Sequence, residues 1–346
     1  MKFLPIIVLL LLLGCRSAEQ AEDHSSIDVQ REVNIYGHRH YETDKQLFQL
    51  FTERTGIKVN MVQAGDDELM ARLEAEGAKS PADLLITADA GRLGLATQRG
   101  LLQPLRNNVL ESNIPSHLRD PQGHWFGLTM RARVIAYNKE KVDPAKIQDY
   151  NDLTDPEWKK RLLVRSSENV YNQSLVAAMI ERIGTEATEE WARGIVSNMA
   201  REPQGGDTDQ LLALAEGIGD IAISNSYYIG KIMAGNEPER QRAREVIGVV
   251  FPSMGRYGTH VNISGAGITK YAPNKEEAIA LLEFLSSDEA QALFADGNKE
   301  YPVKKGVQVP VELLSFGTFI PDTLDLAVLA RNNAQAVKIM TAAGWR

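Results

Sequence analysis

Residues 33–61 read VNIYGHRHYETDKQLFQLFTERTGIKVNM. Val33 to Tyr36 is a short apolar strand. Leu47, Phe48 and Phe51 then recur at the spacing of one helical face, which stops at Gly56. Thr43-Asp44-Lys45-Gln46 has capping-box spacing ahead of that helix. Ile57, Val59 and Met61 alternate as a second strand. A strand, a helix and a strand in so short a span form a crossover unit.

The same rhythm continues outward. Leu69, Met70 and Leu73 mark a helix closed by Gly77, Leu84-Leu85-Ile86 is a buried strand, and a helix follows to Gly100. This order predicts a mostly parallel sheet covered by helices. Around Gly127 to Asn138 the rhythm changes, and Val134-Ile135-Ala136-Tyr137 is a strand entered from an arginine-containing stretch. A second α/β unit follows: a strand at Leu162 to Val164, a helix from about Gln173, two more helices and a strand at Ile221 to Ile223. Val249-Val250-Phe251 and Ala266-Gly267-Ile268 lead back to the first unit. Asn274 to Glu277 is another capping-box spacing, before a helical pair reaching Phe294, and a last helix runs from about Asp322 to Met340. The fold class is α/β, with two hinged lobes, and ligands of such sheets bind beyond the carboxyl ends of the strands.

The N-terminus sets the expected compartment. Lys2 precedes the apolar run Phe3 to Leu13, too short for a spanning helix and suited to a signal peptide. It ends in Leu12-Leu13-Gly14-Cys15, which resembles a bacterial lipobox and makes Cys15, the only cysteine, the lipidated residue. Arg16 to Ser26 is polar and reads as a tether. The formal net charge is −8 with no basic stripe, which argues against nucleic acid as a partner. There is no GxSxG elbow, P-loop, HExxH or CxxC arrangement, so an enzyme reading has little support.

Three loops at strand ends carry tyrosine: Gly37-His38-Arg39-His40-Tyr41, Ser166-Ser167-Glu168-Asn169-Val170-Tyr171-Asn172 and Ser224-Asn225-Ser226-Tyr227-Tyr228. Tyr36, Tyr137 and Tyr271 fit packing roles better. A phenol with a pKa near ~10 ionises at neutral pH only when a strong Lewis acid displaces its proton, and ferric iron is such an acid. Four phenolates around a trivalent ion leave one excess negative charge, for which Arg131 and Arg133 are candidate counter-charges. Both would also fit an ordinary surface strand. His40 could be a ligand or an outer-shell donor, with His38 nearer the strand, while His24, His117, His124 and His260 are read as structural. Asp66, Asp67 and Glu68 complement a helix dipole, Asp89 follows a strand end, and Ser166, Ser167 and Asn169 could hold a small anion. A tyrosine pair could equally be a stacking platform for an organic cation such as a polyamine or thiamine.

Arg39-His40-Tyr41-Glu42-Thr43-Asp44, Ser80-Pro81-Ala82-Asp83 with Thr87, Arg131-Ala132-Arg133-Val134, Ser224-Asn225-Ser226-Tyr227-Tyr228 and Asn298-Lys299-Glu300-Tyr301-Pro302-Val303 carry a family resemblance. With them the chain resembles the periplasmic iron-binding proteins of ABC transporters, in their tyrosine-rich, cyanobacterial-type branch. The resemblance implies a type II periplasmic-binding-protein fold, two α/β lobes joined by two crossing strands. It implies iron, Fe3+ first and Fe2+ as the alternative, held by Tyr41, Tyr171, Tyr227 and Tyr228 with His40 and Arg131 close by. It implies a monomer in the periplasm, lipid-anchored to a membrane, that serves an ABC transporter permease. The expected division is a signal peptide over 1–14, lipidated Cys15 and tether over 15–31, lobe 1 over 32–129 and 255–305, and lobe 2 over 130–254 and 306–346.

Overall fold

Val33, Ile35 and Tyr36 are buried along β1 (Glu32–Gly37), and the strand forms where the sequence puts it. The computed structural model describes residues 31–39 and 41–346. The predicted signal segment, Cys15 and the tether to residue 30 lie outside the described residues. α1 (Glu42–Thr55) buries Leu47 and Phe51 and ends at Gly56, whose φ of 72° is the left-handed turn that glycine takes at little steric cost. β2 (Lys58–Gln63), α2 (Asp66–Glu76), β3 (Leu84–Thr87) and α3 (Ala90–Gln98) follow in the expected order. β1 pairs in parallel with β2 on one side and β3 on the other.

After α4 (Asn108–Asn113) comes the 13-residue β4 (Phe126–Asn138), which links the two halves. Beyond it lie β5 (Leu162–Leu163), α5 (Val170–Ile183), α6 (Thr185–Asn198), α7 (Asp207–Ala215), β6 (Ile221–Asn225) and α8 (Ser226–Ala234). α9 (Gln241–Val246) and β7 (Ile247–Val250) complete that half, and β8 (Val261–Ile268) returns. The chain ends through α10 (Lys275–Leu285), α11 (Asp288–Asn298), β9 (Tyr301–Pro302), α12 (Val311–Leu314) and α13 (Ala327–Ala343).

The strand order is β2-β1-β3-β8-β4-β6-β5, with β7 and β9 also on β4. β4 pairs with β8 and β9 up to Ala132, and with β6 and β7 from Arg133 onward. One strand therefore belongs to both lobes, and Arg131 and Arg133 flank the point where it changes partners. The first lobe's sheet is less parallel than expected, because β8 runs antiparallel to both β3 and β4. A chain that leaves a lobe on one strand and re-enters on its neighbour must reverse direction between them. α13 lies against α3, where an added Cβ on Gly94 would come within 2.6 Å of the Ala330 Cβ. It also packs on α5 of the other lobe.

Several local expectations change. Thr43 does not cap α1: the helix already includes Glu42, and the N-cap position is Tyr41 with no side-chain cap. The Thr43 side chain instead lies against Gly297 of α11. Asn274 does not form a capping box either, because its backbone N–H and side-chain amide donate to Asp83, at 2.6 and 3.1 Å. α5 begins at Val170, three residues before the expected Gln173. The last helix begins at Ala327, and Asp322 is drawn instead to Arg182 at 2.5 Å. Tyr271 is exposed rather than packed, whereas Tyr36 is buried with its hydroxyl donating to Glu76.

Candidate functional site

The tyrosines of all three loops come to one place. Tyr41 occupies the N-cap position of α1, in extended backbone directly after β1 and its loop. Tyr171 lies in the first turn of α5, where its N–H donates to the capping side chain of Asn169 at 3.1 Å. Tyr227 and Tyr228 lie in the first turn of α8, which follows β6 without an intervening loop. In a strand, adjacent side chains would point to opposite faces, but the change to helix turns both rings to one side. Their rings stack with centroids 4.1 Å apart and an interplanar angle of 29°.

Tyr227 is the hub. Its hydroxyl oxygen is 3.4 Å from that of Tyr171, and it interacts with the hydroxyls of Tyr41 and Tyr228. Burial pushes the pKa of Tyr41 up, and Glu300 and Tyr171 push it further. Burial likewise raises Tyr227 and Tyr228. Without a Lewis acid these are neutral phenols. Among the described residues no group of three His, Cys, Asp or Glu could hold a metal ion.

Cations surround the cluster. The Arg131 guanidinium lies 5.2 Å from the centroid of the Tyr171 ring and that of Arg165 5.6 Å. Arg39 lies 5.0 Å from the Tyr41 ring, and the Lys231 ammonium is 4.3 Å from Tyr41 and 5.5 Å from Tyr227. Burial lowers the Lys231 pKa, with Glu300 opposing that shift. Arg39 is forked onto Asp44 at 2.9 and 3.1 Å and reaches Glu300 at 3.7 Å. Arg131 donates to Ser264 and to the Ala88 carbonyl.

Arg133 departs from the surface-strand reading. It is fully buried and donates to Asp207 at 2.8 Å, to Asn225 at 3.2 Å and to Asn172 at 2.7 Å. Asn172 follows Tyr171, and Asn225 lies just ahead of the Tyr227–Tyr228 turn. Arg133 thus ties two tyrosine-bearing loops together. His40 lies outside the described residues. His38 is exposed beside the Ala64 carbonyl at 3.3 Å. His260 is buried, and burial with the charges of Arg133 and Arg131 pushes its pKa down to about 3. His124 pairs with Asp120, and His24 lies outside the described residues.

Asp89 does more than follow a strand. It is buried and accepts from Ser174 of the opposite lobe and from Asn262, both at 2.8 Å. Ser166 and Asn169 are occupied as local caps rather than offered to an anion. Sequence reasoning passed over Arg39, Arg165, Asp207 and Lys231. Lys231 had a usable signal, since it stands one turn beyond Tyr227 once α8 is known to begin at Ser226.

A small gap beside Tyr171 is lined by Arg131, Arg133, Tyr171, Asn225, His260 and Asn262, and by none of the other three tyrosines. Roomier clefts lie elsewhere on the first lobe, one between Glu74, Arg99 and Lys270 and another along β2, and neither gathers a converging set of groups.

Residues 79–315 match the profile of the bacterial extracellular solute-binding protein family. The chain is 47% identical over 336 residues to iron uptake protein A1 of Synechocystis, covering 97% of this chain and 93% of the relative. The structure of a Trichodesmium protein in complex with iron and citrate is 48% identical, with a TM-score of 0.87 over 91% of this chain and all of that one. The apo structure of Synechocystis FutA2 is 45% identical, with a TM-score of 0.86 over 92% of this chain and all of that one. The two lobes joined through β4 and β8 are the expected type II arrangement. The chain belongs to the bacterial extracellular solute-binding protein family, among relatives that include the iron uptake proteins.

Proposed function

We propose that this chain is the solute-binding protein of an ABC importer, capturing ferric iron between Tyr41, Tyr171, Tyr227 and Tyr228 and delivering it to the permease. One observation carries the ligand assignment. Phenol hydroxyls from both lobes converge on that of Tyr227, in a setting of cations. Phenolate is a hard anionic donor that suits Fe3+, and relatives are named for iron uptake and ferric binding. Arg131 then acts as an outer cation beside Tyr171, and His40 as a neighbour of Tyr41.

The organic-cation alternative is disfavoured because Arg39, Arg131, Arg165 and Lys231 lie against the tyrosine rings and would repel such a ligand. The role is capture rather than catalysis. With the lobes apart, Tyr171, Tyr227 and Tyr228 take iron from solution, and Tyr41 completes the shell as they close. The proposed lobes are 32–129 with 255–305 and 130–254 with 306–346. The protein works as a monomer, exported to the periplasm and held to a membrane through lipidated Cys15.

Ferric nitrilotriacetate added to the purified iron-free protein tests the ligand set. A visible phenolate-to-iron charge-transfer band should appear, and Tyr227→Phe should abolish most of it. A protein that binds without any such band would refute tyrosine ligation.

A further inference from the structure

Resting on that ligand set, we infer that Lys231 is the cation that couples lobe closure to iron ligation by Tyr41. Arg39 lies between Asp44 and Glu300, so this buried group carries two carboxylates against one guanidinium, directly beside Tyr41. The excess is negative, and a phenolate at Tyr41 would add to it.

The second lobe alone does not have this problem. Fe3+ with the phenolates of Tyr171, Tyr227 and Tyr228 is neutral, and Arg133 and Arg165 share the single carboxylate of Asp207 nearby. Loading the half-site releases a proton to solvent from each of its three tyrosines. Tyr41 releases the fourth when its oxygen bonds iron, and the centre becomes anionic. That last step needs a positive charge delivered to Tyr41, and closure delivers Lys231.

Lys231 belongs to α8, the helix of Tyr227 and Tyr228, while Tyr41 belongs to α1 of the other lobe. Its ammonium is 4.3 Å from the Tyr41 ring centroid and 5.5 Å from that of Tyr227. Among the described residues it forms no ion pair; across the cleft it faces Glu300 and Asp44, which attract it, and Arg39, which repels it. The other cation at Tyr41, Arg39, is already held by those carboxylates on its own lobe. Lys231 therefore meets a net negative patch and the fourth ligand in one movement.

A double-mutant cycle on the full chain tests this, with ferric nitrilotriacetate as the probe. Lys231→Met should weaken iron binding at neutral pH by roughly tenfold or more, the size expected when a charge–charge contact near a protein surface is removed. Its charge-transfer band should shift toward that of Tyr41→Phe, and its iron-loaded form should scatter as an open molecule. Adding Lys231→Met to Tyr41→Phe should cost little more, and Lys231→Arg should restore both band and closure. Lys231→Gln is carried through the same cycle, so a methionine protein that fails to fold does not end the test. Equal losses in the wild-type and Tyr41→Phe backgrounds, with the Lys231→Met band unmoved, would overturn the coupling. A wild-type protein with no charge-transfer band at all would instead overturn tyrosine ligation itself.

Discussion

Asp66 is the first residue of α2, where the helix dipole favours a carboxylate, yet it is buried and its Oδ1 has no hydrogen-bond partner. Burial outweighs the dipole. It raises the pKa from 3.8 to about 6, helped by Asp89 and Asp67 and opposed by His38 and Arg92. Between those two values the folded protein binds more protons at Asp66 than the unfolded chain does. Stability therefore falls as pH rises through this window, and ionised Asp66 costs about 2–3 kcal/mol at neutral pH. Asp66→Asn should raise the melting temperature at pH 7 and leave it nearly unchanged at pH 3.5. An equal change at both pH values would show that charge is not the cause. Tyr227 presents the opposite case, a residue whose value lies in its contacts with three other hydroxyls. Tyr227→Phe should weaken iron binding more than Tyr41→Phe, Tyr171→Phe or Tyr228→Phe, as measured by competition with a chelator. If the four losses are equal, Tyr227 is not the hub.

At the scale of elements, the helix starts hold the site together. Asn169 caps α5 by accepting from Tyr171 N–H, so the cap and a proposed ligand share a turn. Asn169→Ala should cost about 1 kcal/mol in urea unfolding, as lost N-caps do. Its iron affinity should fall by more than that figure predicts from stability alone, because the first turn frays; unchanged affinity would mean that the cap does not orient Tyr171. Helix starts were also where reading the sequence fell short. The short apolar run Val33 to Tyr36 and the Leu47, Phe48 and Phe51 stripe identified β1 and α1, because burial is written directly in apolar spacing. Thr43 had the right residue type and spacing for a cap but is used for packing against Gly297, a contact made by residues far apart in the chain. The tyrosine loops were legible because polar loops at strand ends stand out in such sheets. Arg133 was legible only as a candidate counter-charge; its bond to Asp207 and the approach of Lys231 to Tyr41 were not, since they depend on which loops the fold brings together.

Across the whole molecule, two kinds of contact join the lobes: the tyrosine cluster, which iron would tighten, and contacts that do not involve those tyrosines. Asp89 belongs to the second kind. It caps α3 by accepting from Arg92 N–H, and it is buried between Ser174 of α5 and Asn262 of β8. The Ser174 bond spans the lobes and joins a hydroxyl to a charged acceptor, a class worth about 1.5–3 kcal/mol. If opening breaks it, the bond biases the iron-free protein toward the closed form by roughly ten- to a hundredfold. Ser174→Ala should therefore enlarge the radius of gyration of the iron-free protein in solution scattering. Iron affinity should fall by a similar factor, because ligation must then supply the lost closing energy, while the iron-loaded radius should stay that of the wild type. Asp89 retains Asn262 and Arg92 N–H as donors in this variant, so the carboxylate is not left unsatisfied and the fold should survive. An iron-free radius and an iron affinity both unchanged in Ser174→Ala would mean that the bond persists through opening, placing Asp89 and Ser174 on the hinge side of the moving boundary.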